Sequence, residues 1–164
     1  MPEAYVAAGS NVRPRAHLRL ALALAGARWH GLRFSRAFQS PAQGLYGPDY
    51  VNLVLAFEAG EPPAALKAAL RGIEAACGRE RGPGHRAGVT LDLDLLLYGD
   101  LCGSFDGVTL PDPELLERPY LLGPLADLAP GLRHPRTGER VGDCWARMAP
   151  GAAPLVPVDL GGGD

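Results

Sequence analysis

The thirteen residues GVTLDLDLLLYGD, positions 88–100, are apolar enough to form a buried strand and yet carry two carboxylates two residues apart. Side chains alternate along a strand, so Asp92 and Asp94 share one face while Leu91, Leu93 and Leu95 share the other. Their Cα atoms then stand roughly 7 Å apart, and at an effective dielectric of about 20 the charges repel by on the order of 2 kcal/mol. Such a strand needs apolar packing on one side and a positive group between the carboxylates on the other. An arginine in a structural network or a divalent ion would each serve, and the D-x-D spacing fits both.

The segments around it set the fold class. AYVAAG at 4–9 reads as a strand ended by Gly-Ser-Asn, and Leu18, Ala21, Leu22 and Ala25 recur at helical spacing from about Arg13 to a stop near Gly26. WHGLRFSRAFQS and YVNLVLAFEAG predict two strands joined by the long Pro- and Gly-rich loop PAQGLYGPD. A helix follows from about Pro62, with the stripe Leu66, Leu70, Ile73 and Cys77 and a stop at Gly78. After the strand at 91–98 a short one is expected at 108–110, then helical pieces broken at Pro119 and Pro124. The order strand, helix, strand, strand, helix, strand predicts one α+β domain of ferredoxin-like type over residues 1–150. Its helices would pack on one face of an antiparallel sheet, and residues 151–164 would form a loosely held tail.

Arg79, Arg81, His85 and Arg86 lie among Gly78, Gly82, Gly84 and Gly88 just before the acidic strand. Guanidinium groups bind phosphate oxygens bidentately, and glycines let a loop reshape around a ligand, so arginines beside a carboxylate dyad describe a polyphosphate site. Familiar nucleotide motifs are absent: there is no G-x-x-x-x-G-K-[ST], and GPGHRAG precedes a strand instead of a helix. No Ser or Cys has a His partner at a recognisable spacing, and His17, His30, His85 and His134 are scattered. A net charge near −2 disfavours wholesale nucleic-acid binding. Three cysteines without a C-x-x-C pair suggest neither a disulfide framework nor a zinc site. With no leader pattern and no membrane-length apolar run, a cytoplasmic protein is expected.

AYVAAGSN, DYVNLVLAFEA, IEAACGRER and above all TLDLDLLLYGD, continued by LPDPELLERPYLLGPLADLAP, resemble the 6-hydroxymethyl-7,8-dihydropterin pyrophosphokinase family over about residues 4–142. The resemblance implies a ferredoxin-like enzyme of folate biosynthesis that transfers pyrophosphate from ATP to the pterin hydroxymethyl group and releases AMP, with two Mg²⁺ bridging the triphosphate. It implies Asp92 and Asp94 as metal ligands and, with the loop arginines Arg79 and Arg81, as the catalytic set. Glu74, His85, Thr109 and Arg118 would join those arginines around ATP. Tyr50 and Tyr120 would flank the pterin ring, Asn52 would read its polar edge, and Ser40, Pro41 and Gly44 would line the pterin loop. A flat heteroaromatic ring suits two aromatic faces, and its donor and acceptor edge suits an amide.

The chain departs from the family pattern at two phosphate-facing places. Val89 stands where an arginine usually precedes the Thr of T-L-D-L-D, Asp112 stands where a histidine usually follows Leu-Pro, and the loop's usual tryptophan is missing. The competing reading is a diverged, weakly active or non-catalytic module that binds nucleotide or pterin.

Overall fold

The structure is a computed structural model and describes residues 1–40, 49–79, 88–161 and 163. Its main elements are β1 (Glu3–Ser10), α1 (Pro14–Arg28), β2 (His30–Phe34), β3 (Ala37–Ser40), β4 (Tyr50–Glu58), α2 (Pro63–Ala76) and β5 (Asp92–Tyr98). There follow β6 (Gly103–Phe105), β7 (Val108–Leu110), α3 (Pro119–Leu128), α4 (Val141–Met148) and β8 (Val156–Val158). The antiparallel main sheet runs β5-β1-β4-β3-β8, with β2 also paired to β4, and β6 and β7 form a separate hairpin. Taking β2 and β3 as one interrupted strand gives the βαββαβ order of the ferredoxin-like α+β class, with β1 and β4 at its centre.

The interruption has a local cause. Ser35 is buried between β2 and β3, and its hydroxyl accepts the Val54 N–H at 3.0 Å while its own N–H donates to the Val54 carbonyl at 2.8 Å. A side chain thus takes a ladder position, and the stretch read as one strand becomes two.

Both faces of the sheet are covered, which corrects the expectation of helices on one face. Val6, Ala8, Leu53, Leu55, Phe57 and Leu93 pack with Leu18 of α1 and Leu66 and Leu70 of α2. Tyr5, Ala7, Val54, Ala56 and Leu96 pack with Leu121, Leu122 and Leu125 of α3 and Val141 and Cys144 of α4. Burial on two faces explains why β1 and β4 read as near-continuous apolar runs instead of alternating ones.

Three local expectations are corrected. Gly26 does not stop α1; a Cβ there would stand 3.2 Å from Leu32, so the glycine admits close packing of the helix on β2. Pro124 does not break α3, because Pro119 opens the helix and the residues from Leu121 to Ala126 are buried around the missing N–H. Part of the tail beyond 151 is fixed as β8 on β3, and Arg15 and Arg19 of α1 donate to the carbonyls of Asp159, Leu160 and Gly163. No helix among the described residues is long and apolar enough to cross a membrane.

Candidate active site

Asp92 and Asp94 project from β5 on the α3 side, while Leu93 and Leu95 enter the core beneath α1 and α2. Register carries the site across the sheet: Asp94 faces Ala7 and Asp92 faces Gly9 on β1, and Gly9 faces Asn52 on β4. The two small β1 residues leave a floor between the dyad and Asn52. Tyr50, Asn52 and Ser40 wall it on one side, and Tyr120 and Leu121 of α3 close it, giving a cleft of about 150 Å³. Asn52 is buried and its Nδ2 donates to Ser40 Oγ at 3.1 Å, which fixes the amide.

A second cleft of about 230 Å³ lies along the outer side of β5. Lys67 and Arg71 of α2 line it opposite Thr109, Asp112 and Pro113, and Asp94 belongs to both clefts. The dyad therefore stands where two ligands would meet, one against aromatic and amide groups and the other against cations.

The electrostatics match that position. Burial first, then the charge of Asp92 and the hydrogen bond shared with it, push the Asp94 carboxyl up to about 7; Asp112 adds to this and Arg71 opposes it. Arg79 Nη1 donates to the Leu91 carbonyl at 2.7 Å and lies 3.5 Å from Asp92 Oδ1, while its buried Nε has no hydrogen-bond partner among the described residues. Burial and then Asp92 raise the Tyr50 hydroxyl against Arg79, and burial raises that of Tyr120 against Arg118, with Glu114 and the dyad adding to it, so both stay protonated. Among the described residues no three or more His, Cys, Asp or Glu converge as a metal cage. Two carboxylates converging at the meeting of two clefts suit a hard cation that takes its other ligands from a phosphate and water.

The structure thus brings Ser40, Tyr50, Asn52, Tyr120, Asp92 and Asp94 together, with Arg79 beside Asp92 and Thr109 in the second cleft. Pro41, Gly44, Arg81 and His85 lie outside the described residues, as does Arg86. Of the two other residues expected around ATP, Glu74 is buried and Arg118 is part-exposed. Glu74 is 1% exposed: its Oε2 accepts the Leu93 N–H at 2.7 Å and its carboxylate holds Arg71, so it braces the site from inside. Arg118 lines neither cleft; it precedes α3 and pairs with Glu114 four residues back at 3.3 Å.

Sequence reasoning missed Asn11, Lys67 and Arg71. Asn11 is buried; its N–H donates to the Val89 carbonyl at 2.9 Å and its Oδ1 accepts the Val89 N–H at 2.5 Å. The weak Gly-Ser-Asn signal therefore marks the clamp on the chain entering the acidic strand. Asn11→Ala leaves that donor without its acceptor and is expected to cost about 1–3 kcal/mol in urea denaturation. No measurable loss would show that the entry is held by other contacts. Val89 spends its backbone on this clamp, and Asp112 Oδ1 accepts the Glu114 N–H at 2.8 Å in a tight turn; burial raises its carboxyl and Lys67 lowers it.

A family model described as 7,8-dihydro-6-hydroxymethylpterin-pyrophosphokinase matches residues 5–130. Named 2-amino-4-hydroxy-6-hydroxymethyldihydropteridine pyrophosphokinases are similar over most of the chain. The Synechocystis sp. protein is 36% identical, covering 79% of this chain and 67% of that protein. The Pseudomonas aeruginosa protein is also 36% identical, covering 80% and 83%, and the Methylorubrum extorquens protein is 33% identical, covering 92% and 96%. Among solved structures, wild-type Plasmodium falciparum HPPK-DHPS with STZ-DHP superposes with a TM-score of 0.71 at 12% identity, covering 92% of this chain. This chain spans 44% of that one, and the likeness carries the fold alone. Matched from β1 to the end of α3 by the family model and at a third identity by full-length relatives, the chain belongs to the 7,8-dihydro-6-hydroxymethylpterin-pyrophosphokinase family.

Proposed function

We propose that this protein transfers pyrophosphate from ATP to the hydroxymethyl group of 6-hydroxymethyl-7,8-dihydropterin, releasing AMP, as a cytoplasmic step of folate biosynthesis. The observation that carries the reading is Asp94, shared by an aromatic, amide-bearing cleft and a cation-lined one. The first takes the pterin: Tyr50 and Tyr120 offer ring faces, and Asn52, held by Ser40, offers a donor and an acceptor to its polar edge. The second takes ATP, with Thr109 in its lining and Arg79 at the dyad end. Pro41, Gly44, Arg81 and His85 are assigned to the same ligands by their motif positions alone.

Asp92 and Asp94 would hold Mg²⁺, which when bound neutralises charge on the triphosphate. The protein's own contribution is position. Both substrates are held with the pterin hydroxyl toward the phosphates, in a pocket whose half-buried carboxylates and tyrosines displace water. No side chain needs to act as a nucleophile.

Mixing the protein with ATP, Mg²⁺ and the reduced pterin is expected to release AMP in proportion to pyrophosphorylated pterin, and EDTA is expected to stop it. Ligand binding without AMP would sink the transfer reading in favour of a binding module.

A further inference from the structure

The proposed nucleotide cleft carries the carboxylates Asp94 and Asp112, and α2 presents two cations to it, Lys67 and Arg71. Arg71 lines the second cleft together with Asp94 and Thr109, and it lines an adjoining hollow together with Glu74 and Arg79. It spans the ground between the cleft and the arginine at the dyad.

Its placement is fixed from inside the protein. Arg71 Nη1 donates to both Glu74 oxygens, at 2.8 and 2.9 Å, and the same carboxylate accepts the Leu93 N–H at 2.7 Å. One buried group therefore ties the guanidinium to the residue next to Asp94. Both bonds from Arg71 to Glu74 leave Nη1 alone, and a guanidinium carries five N–H donors. The Arg71 side chain is 37% exposed, so it is not sealed in with its partner. Lys67 lines the same cleft from an exposed position, with its charge bearing on Asp112.

We infer that Arg71 is a phosphate-binding residue for the nucleotide and that Glu74 is the positioning residue that aims it. The assignment rests on the reading of the second cleft as the ATP site. The charges of Asp92 and Asp94 also act on Arg71, which places it within electrostatic reach of the point where phosphates and dyad meet. A fork held this way reaches a phosphate oxygen at little cost in side-chain freedom.

Magnesium tripolyphosphate and adenosine, titrated calorimetrically into wild type, Arg71→Gln and Arg71→Lys, test the assignment. Loss of a charge-assisted bond predicts that Arg71→Gln binds tripolyphosphate about tenfold or more weakly, with adenosine unchanged and lysine restoring part of the loss. The same factor should appear in kcat/KM for ATP while KM for the pterin stays put. Tripolyphosphate affinity unchanged in Arg71→Gln would overturn the proposal and leave Arg71 as a counter-ion for Glu74. Should the glutamine variant not fold, Arg71→Lys decides: weaker tripolyphosphate binding supports the fork, and wild-type affinity overturns it. A wild type that binds tripolyphosphate in an Arg71-dependent way but forms no AMP would overturn the proposed reaction and keep this site. A wild type without tripolyphosphate affinity would overturn both.

Discussion

Asp94→Asn is expected to abolish AMP formation, by about 10³-fold or more, and to make the metal-free protein more stable at pH 8 than the wild type. The two effects share a cause. Burial and the neighbouring Asp92 make the ionised Asp94 carboxylate costly, holding its folded-state value at about 7 against an unfolded value of about 4. A raised folded-state value means that the wild type carries the associated stability in full below about pH 4 and loses it as pH rises through 7. Asparagine has no proton to lose, so its advantage over the wild type should be absent at pH 4 and should grow across that window. Thermal melts in EDTA at pH 4, 6 and 8 read this directly. Added Mg²⁺ should reverse the order, raising the wild-type Tm through ligand linkage and leaving the variant where it was.

Asp92→Asn should also silence the enzyme. It should bring Asp94 only part of the way down, because burial is the largest cause and Asp92 the second. A variant at either position that melts far below the wild type at pH 8 while still binding Mg²⁺-nucleotide would show that the pair serves the fold through Arg79 and Arg71.

The dyad was legible in the sequence because strand alternation is local: TLDLD puts two carboxylates on one face wherever the strand ends up. The order of strands and helices was legible for the same reason, since Leu66, Leu70 and Ile73 mark the face of α2 without reference to any partner. What was missed depends on contacts made across the chain. Nothing local says that the Glu74 carboxylate will meet the Leu93 N–H nineteen residues on. Gly26 read as a stop because the Leu32 side chain it accommodates arrives only with the next strand. The helix α4 is a different case: Val141, Cys144, Trp145 and Met148 stand at helical spacing, so its signal is present in the sequence. The strand β8 carries none beyond three residues, and its pairing with β3 is settled by tertiary contact and by Arg15 and Arg19 holding the chain that follows.

Gly9→Ala is expected to weaken pterin binding by roughly 10- to 100-fold with little change in tripolyphosphate affinity, because one methyl group on the cleft floor displaces the amide opposite. Gly9 is paired with Asn52 on one side and Asp92 on the other, so the strand cannot retreat. A Cβ would stand 2.6 Å from Asn52 Oδ1 and 3.7 Å from the Tyr50 ring. Asn52 would have to swing, breaking its 3.1 Å bond to Ser40 and turning its donor and acceptor away from the ring edge they are proposed to read. Alanine in a strand is otherwise favoured over glycine by about 0.5–1 kcal/mol, so the fold should survive and the loss should appear in the ligand. Fluorescence titration with the pterin in Gly9→Ala, Asn52→Ala and the double variant separates the causes. If the methyl acts through Asn52, the double variant should bind no worse than Asn52→Ala alone, a strongly non-additive cycle. Additive losses would show that the methyl blocks the ring itself, and unchanged affinity in Gly9→Ala would remove the pterin from this cleft.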